Sequence, residues 1–138
     1  MDPILFVRLA GLAHLISLTA MIYAPINLRW DEELARLPRL LRQMCNVYQA
    51  YTGVTIAALG LVSLCCAPDL VSGTPLARAV CGYIALFWGA RLALQRIYAF
   101  APHLTTPRLR LGYHGLTVLF IAFTALYAWL ALRGGAHP

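Results

Sequence analysis

Arg91 is the residue of this chain that most needs a chemical explanation, because it is a charge inside an apolar run. The run begins near Leu76, and its last part, residues 86–98, reads Leu-Phe-Trp-Gly-Ala-Arg-Leu-Ala-Leu-Gln-Arg-Ile-Tyr. Tyr98 follows seven residues after Arg91, which at helical rise places the charge roughly 10 Å in from the helix end. In a membrane a charge at that depth is costly unless it faces protein or water, so Arg91 marks a candidate site.

Helical spacing gathers other polar side chains around this position. Trp88, Gln95 and Tyr98 share a face with Arg91, and Trp88 is near enough to it for a cation–π contact. The same spacing gives each remaining segment a polar face: Asn46 and Gln49 with the small residues Gly53, Ala57 and Gly60, His14 with Ser17, and His114 with Arg110 and Thr117. Small residues permit close helix contact, and amides can hydrogen-bond a neighbouring helix.

Four apolar segments must position these side chains, at about residues 3–24, 44–67, 76–98 and 109–132. Each reaches the roughly 20 residues that cross the hydrocarbon of a bilayer. Of the 138 residues, 61% are hydrophobic and 12% are charged, and a soluble domain of this size has too little interior to bury that composition. The predicted fold is therefore all-α: a single domain, residues 1–138, forming an integral membrane four-helix bundle.

Prolines and turn residues set the predicted segment ends. Pro25 is expected to follow the first helix and Pro68 to end the second, with a short turn-rich loop from Pro68 to Pro75. In the first loop the spacing of Leu34, Leu37, Leu40 and Leu41 predicts a short surface helix that Pro38 would end or kink.

Arginine placement predicts the orientation of the bundle. Loop one and loop three with its flanks hold most of the arginines: Arg29, Arg36, Arg39 and Arg42, then Arg96, Arg108 and Arg110. The opposite side has Arg8, Arg78 and Arg133. The positive-inside rule then puts loops one and three in the cytoplasm and both termini outside, and we expect a bacterial inner-membrane protein. The net charge of +6 is explained by this topology, so no nucleic-acid partner is expected.

Under this topology the polar residues concentrate in the cytoplasmic half, with His14 near the midplane. We expect one polar cavity there, lined by all four helices and open toward the cytoplasm. The predicted ligand-binding residues are Arg91, Trp88, Gln95, Tyr98, Asn46, Gln49, Arg42, His14 and His114. The expected occupant is a lipid-like molecule such as a quinone, isoprenoid or sterol, or a helix of a partner membrane protein or of another copy of the chain.

Three alternatives remain open from the residues alone. Arg91 can be structural, by hydrogen-bonding Asn46 or Gln49 or by reaching the interface. His14 and His114 can be paired haem ligands, although their unequal depths disfavour this, and the cofactor stays unknown. Cys65 or Cys66 can form a disulfide with Cys81, although buried free thiols are favoured. Neither a catalytic motif nor a metal-ligand motif stands out.

The stretch Arg-Leu-Leu-Arg-Gln-Met-Cys-Asn-Val-Tyr-Gln, residues 39–49, resembles the start of the second helix of the MAPEG family. These are small four-helix membrane proteins of eicosanoid and glutathione metabolism, and Arg91 to Tyr98 is similar to their third helix. The resemblance implies a trimeric, glutathione-dependent enzyme in which Arg42 and Asn46, and also Tyr98, contact glutathione, with Arg91 or Arg108 stabilising the thiolate. Gln49 stands where that family has a glutamate. The chain also resembles small bacterial four-helix membrane proteins without an assigned activity.

Overall fold

The structure, a computed structural model, describes residues 2–27, 29–97 and 106–133, and every regular element in these ranges is an α-helix. The helices are α1 (Pro3–Asn27), α2 (Trp30–Ala35), α3 (Arg39–Cys65), α4 (Ala67–Val71), α5 (Pro75–Ile97) and α6 (Pro107–Leu132). Four of them, α1, α3, α5 and α6, are long and apolar enough to cross a membrane. The predicted all-α class, with four apolar helices of membrane-spanning length, is therefore confirmed.

Two expectations that rested on prolines are wrong. Pro25 does not follow the first helix, because α1 continues through it to Asn27. A proline removes one backbone donor, and this loss so close to the helix end does not stop the last residues from staying helical. Pro68 does not open a loop but stands in the first turn of α4, where the N–H group that proline lacks would have no helical partner.

The helix starts also depend on prolines and hydroxyl groups. α3 begins at Arg39, earlier than the predicted Met44. Pro38 is its N-cap residue, with an extended backbone (ψ 143°) and a carbonyl oxygen that accepts a hydrogen bond from the Arg42 N–H at 3.1 Å. α6 begins at Pro107 rather than at 109, and the Thr106 hydroxyl oxygen accepts a hydrogen bond from the Leu109 N–H at 3.3 Å.

The first loop does contain a short helix, α2, but at Trp30–Ala35, so it includes Leu34 alone of the four leucines whose spacing predicted it. Pro38 separates them: Leu37 lies in the turn before it, and Leu40 and Leu41 belong to α3. None of the residues of α2 is buried. Two ion pairs stabilise its ends, one between Arg29 and Glu32 and the other between Arg36 and Glu33. Both pairs are exposed, so each contributes little to stability.

The four long helices pack mainly as two pairs, α1 with α3 and α5 with α6. We call the end of the bundle that carries α2 the α2 end, and the end where α4 connects α3 to α5 the α4 end. α1 and α3 come close together at Gly11, where a Cβ would lie 2.8 Å from Leu64 Cγ and 2.9 Å from the Gly60 carbonyl oxygen. The prediction that the small-residue face of segment two packs on a neighbouring helix is confirmed at Gly60.

Burial within the described residues is confined to one half of every long helix. The buried residues nearest the α2 end are Ser17 on α1, Ile56 on α3, Trp88 on α5 and Phe120 on α6. All other buried side chains of these helices lie between these positions and the α4 end. The bundle therefore has a packed half toward α4 and an open half toward α2.

Candidate functional site

The open half contains a cavity of about 300 Å³ between the two helix pairs, with walls from α1, α3, α5 and α6. Most of its wall is apolar, and the larger apolar side chains are Met21, Ile56, Phe87, Leu116 and Phe120. The polar side chains on the wall are Ser17, Gln49, Thr52 and Arg91, and Trp30 of α2 and Tyr48 also contribute. The cavity is therefore amphipathic, with one formal charge on its wall.

Trp88 joins the cavity to the packed half through a hydrogen bond. Its side chain lines the cavity but is only 1% exposed, and its indole N–H donates to His14 Nε2 at 2.8 Å. His14 in turn donates from Nδ1 to the Ala10 carbonyl oxygen at 2.7 Å. Since the carbonyl can only accept, Nδ1 carries the proton and Nε2 is the acceptor. Both ring nitrogens of His14 are therefore occupied.

A second hydrogen bond between the helix pairs lies deeper, toward the α4 end. The Ser63 hydroxyl donates to the Leu59 carbonyl oxygen at 2.8 Å, so the Tyr127 hydroxyl is the donor in the 2.5 Å bond between Tyr127 and Ser63. Ser63 and Tyr127 are both fully buried. We call His14, Trp88, Ser63 and Tyr127 the cross-pair network, because its two bonds join α1 to α5 and α3 to α6.

Aromatic rings surround this network. His14 stacks on Phe123 with ring centroids 4.0 Å apart, and Trp88 stacks on Phe120 with centroids 4.7 Å apart. His14, predicted to bind a ligand, is therefore behind the cavity floor. Its occupied nitrogens do not fit a haem ligand, and His114 is exposed on α6. Among the described residues no group of three or more metal-binding side chains is present.

Arg91 lies on the cavity wall and is exposed. Among the described residues it has neither a hydrogen-bond partner nor an ion-pair partner. The predicted cation–π contact with Trp88 is absent, and within the described ranges the cation–π contact is Arg133 over Trp129. The alternative in which Arg91 hydrogen-bonds Asn46 or Gln49 is likewise absent, so its guanidinium is free to meet a ligand.

The two amides predicted on α3 take different positions. Gln49 lines the cavity and also a wider groove of about 670 Å³ between α1 and α3, whereas Asn46 lines the groove alone. Met21 and Pro25 also line both spaces. The cavity and the groove are therefore adjacent.

Other predicted ligand-binding residues are not on the cavity wall. Arg42 and His114 are exposed on the surface, and Gln95 donates from Nε2 to the Thr117 hydroxyl oxygen at 2.8 Å. The Gln95 Oε1 atom is buried and has no hydrogen-bond partner in the described part of the chain. Tyr98 lies outside the described residues.

The sequence interpretation missed part of the cavity wall. Thr52 lies one helical turn from Gln49, and this spacing would have identified it. Phe87, Leu116 and Phe120 have residue types that any apolar helix contains, so no sequence signal separates them from core residues.

The cysteines are all free. Cys81 is buried with its Sγ 3.7 Å from the Leu70 carbonyl oxygen, whereas Cys65 is exposed and Cys66 is half-buried. The disulfide alternative is thus not seen, and the expectation of buried thiols holds for Cys81 and fails for Cys65.

The chain matches no protein-family model, no curated protein and no solved structure. The functional argument is therefore based on the cavity and on the residues that line it.

Proposed function

We propose that this membrane protein binds a lipid-like ligand, of the quinone, isoprenoid or sterol kind, in the cavity at the α2 end. One observation supports this most directly: an unpaired Arg91 shares a mostly apolar cavity wall with Gln49. Ligand sites are usually apolar hollows with a few polar groups that orient the ligand. The polar head would meet Arg91, and the apolar body would pack against Phe87, Trp88 and Phe120.

The size of the cavity indicates how much of the ligand it holds. Its volume of about 300 Å³ is at the lower end of the roughly 300–1,000 Å³ typical of small-molecule sites. A long lipid would therefore place its head and the first part of its chain there. The adjacent groove between α1 and α3 would take the remainder, past Met21 and Pro25.

The proposed orientation places the α2 end in the cytoplasm, both termini outside and the chain in a bacterial inner membrane. Arg36, Arg39 and Arg42 at the α2 end, with Arg108 at the start of α6, support it through the positive-inside rule. In a cysteine-free background, an Arg36→Cys variant should react with a membrane-impermeant maleimide in inverted vesicles and not in intact cells. The reverse pattern would refute this orientation.

Native mass spectrometry of gently extracted protein tests the proposal. We expect a lipid-like mass on the wild type that is lost in Ala20→Phe, which fills the cavity. Ala90→Phe is the matched control, because Ala90 is exposed on α5 and lines neither the cavity nor the groove. A wild-type protein without a bound mass would contradict the proposal.

Two other outcomes would replace lipid binding with a different function. Glutathione binding that Arg42→Ala abolishes would favour a MAPEG-like enzyme. A partner protein that co-purifies in place of a lipid, and that is lost in Arg91→Leu, would favour a membrane subunit.

A further inference from the structure

The charge on the cavity wall has no counter-charge within the described residues. The chain has 5 acidic residues, and all lie outside the four candidate membrane spans or at their ends. Glu32 is paired with Arg29, and Glu33 with Arg36. Asp2 and Asp69 lie at the α4 end, and Asp31 makes no ion pair within the described residues. No described carboxylate therefore pairs with Arg91, so an anion bound beside this cavity would have to come with the ligand.

The hydrogen-bonding groups on the wall point to the same conclusion. Ser17 donates its only O–H to the His14 carbonyl oxygen, and Thr52 donates its own to the Tyr48 carbonyl oxygen. The indole N–H of Trp88 is used by His14. The Arg91 guanidinium has five N–H donors and no acceptor, whereas the Gln49 amide adds two donors and one acceptor oxygen, and the hydroxyl oxygens of Ser17 and Thr52 can accept. Free donors on these side chains therefore outnumber the acceptor atoms, and a ligand head rich in acceptor oxygens would satisfy them.

We propose that the occupant is an anionic amphiphile, a carboxylate or phosphate monoester on an alkyl or isoprenoid chain. Arg91 is the residue that selects the anion. This inference rests on the proposed function, and it narrows the ligand class from lipid-like molecules in general to charged ones. Carboxylate and phosphate each present a pair of oxygen atoms bonded to one central atom, and a guanidinium binds such a pair through two parallel hydrogen bonds.

The native tryptophans provide a direct assay. Trp30 and Trp88 line the cavity, whereas Trp129 lies near the α4 end. The protein is placed in nanodiscs of uncharged-headgroup glycolipid, and bromine-labelled stearic acid or stearyl alcohol is added while tryptophan fluorescence is recorded. Bromine quenches only tryptophans that it nearly touches. The measurement is made at pH 9, far above the ordinary carboxyl pKa of about 4, so that the acid is ionised.

We expect the acid to half-quench the cavity tryptophans at a concentration about tenfold or more below that of the alcohol. Arg91→Gln should lower the affinity for the acid by about the same factor and leave the affinity for the alcohol unchanged, because hydrogen bonds to charged groups are stronger than those to neutral groups. Arg108→Gln is the matched control, since it removes an equal charge at the same end but lies outside the cavity wall. A Trp88→Phe variant identifies the quenched residue.

The outcomes separate the two proposals. Equal binding of acid and alcohol that Arg91→Gln does not change would overturn the anion inference and leave lipid binding in place. If neither the acid nor the alcohol quenches Trp88 in a saturable way, lipid binding in this cavity would itself be overturned. Displacement of the acid by millimolar inorganic phosphate would show that the site binds a free anion from water, and would overturn the proposal that the occupant is an amphiphile. If Arg108→Gln and Arg91→Gln lower the affinity for the acid equally, the effect is one of general surface charge, and the inference about Arg91 would also be overturned.

Discussion

The two halves of this bundle are made by the same four helices and yet differ in burial, in how closely the helices pack and in whether their polar groups are paired. Toward α4, glycines bring α1 and α3 into backbone contact, and aromatic rings fill the centre around His14. Toward α2, the helices keep mostly half-buried and exposed side chains and leave a cavity with Arg91 on its wall. On α5, burial ends at Trp88, one turn before Arg91, which has no partner among the described residues.

The cross-pair network marks the boundary. In a membrane, helices are held together by packing and by interhelical hydrogen bonds, since lipid is as apolar as the helices themselves. In both hydrogen bonds of the network the donor and the acceptor belong to this chain, so the two helix pairs are held together there. Arg91, one turn beyond Trp88, has no such partner in the described residues, and the pairs separate. Three predictions test this contrast, in order of decreasing effect.

The largest effect is expected from removing an aromatic ring in each half. Phe123→Ala removes a side chain that is 2% exposed and stacked on His14. We expect it to lower the free energy of unfolding by about 3 kcal/mol, because a buried cavity would remain. Phe87→Ala, on the wall of the open cavity, should cost about 1 kcal/mol, mainly its edge-to-face contact with Trp88. Reversible unfolding in mixed micelles measures both, and equal losses would contradict the division into two halves.

A smaller effect is expected from adding one methyl group to the contact between α1 and α3. In Gly11→Ala the new Cβ would press on Leu64 Cγ and the Gly60 carbonyl oxygen, and overpacking of this kind costs about 1–3 kcal/mol. Gly53→Ala is the matched control in the open half, because its Cβ would meet only the end of Met21, at 3.5 Å. We expect it to be neutral or slightly stabilising in a helix. Thermal unfolding in detergent would compare the two, and a larger loss in Gly53→Ala would refute the contrast.

The smallest effect is expected from the deeper bond of the network. A double-mutant cycle with Tyr127→Phe and Ser63→Ala isolates that bond from the packing of the ring. We expect a coupling of about 0.6 kcal/mol, the average for hydrogen bonds between membrane helices. The same cycle on Gln95→Leu and Thr117→Val, within the α5–α6 pair, is the comparison. If the Ser63 and Tyr127 changes prove simply additive, then packing alone holds the pairs together at that level.

Several features of the site were readable from the chain because they depend on local spacing. Arg91 and Gln49 lie on the cavity wall, as their positions within apolar segments indicated. His14 was misread, since its acceptor nitrogen is used by Trp88, 74 positions away in the sequence. No periodicity within α1 could show that partner. Trp88 was read as a partner of Arg91, but the ring of Phe120 occupies its face instead.

The sequence by itself determined the number of long helices and that each can cross a membrane, because a run of about 20 mainly apolar residues matches the hydrocarbon thickness and a helix satisfies its own backbone groups there. It also determined most helix ends to within a few residues, since prolines and hydroxyl caps act locally. The tertiary structure alone decided which polar side chains satisfy each other and which are left free. That decision depends on how the two helix pairs are rotated and how closely glycines let them approach, which are properties of contacts between residues far apart in the chain.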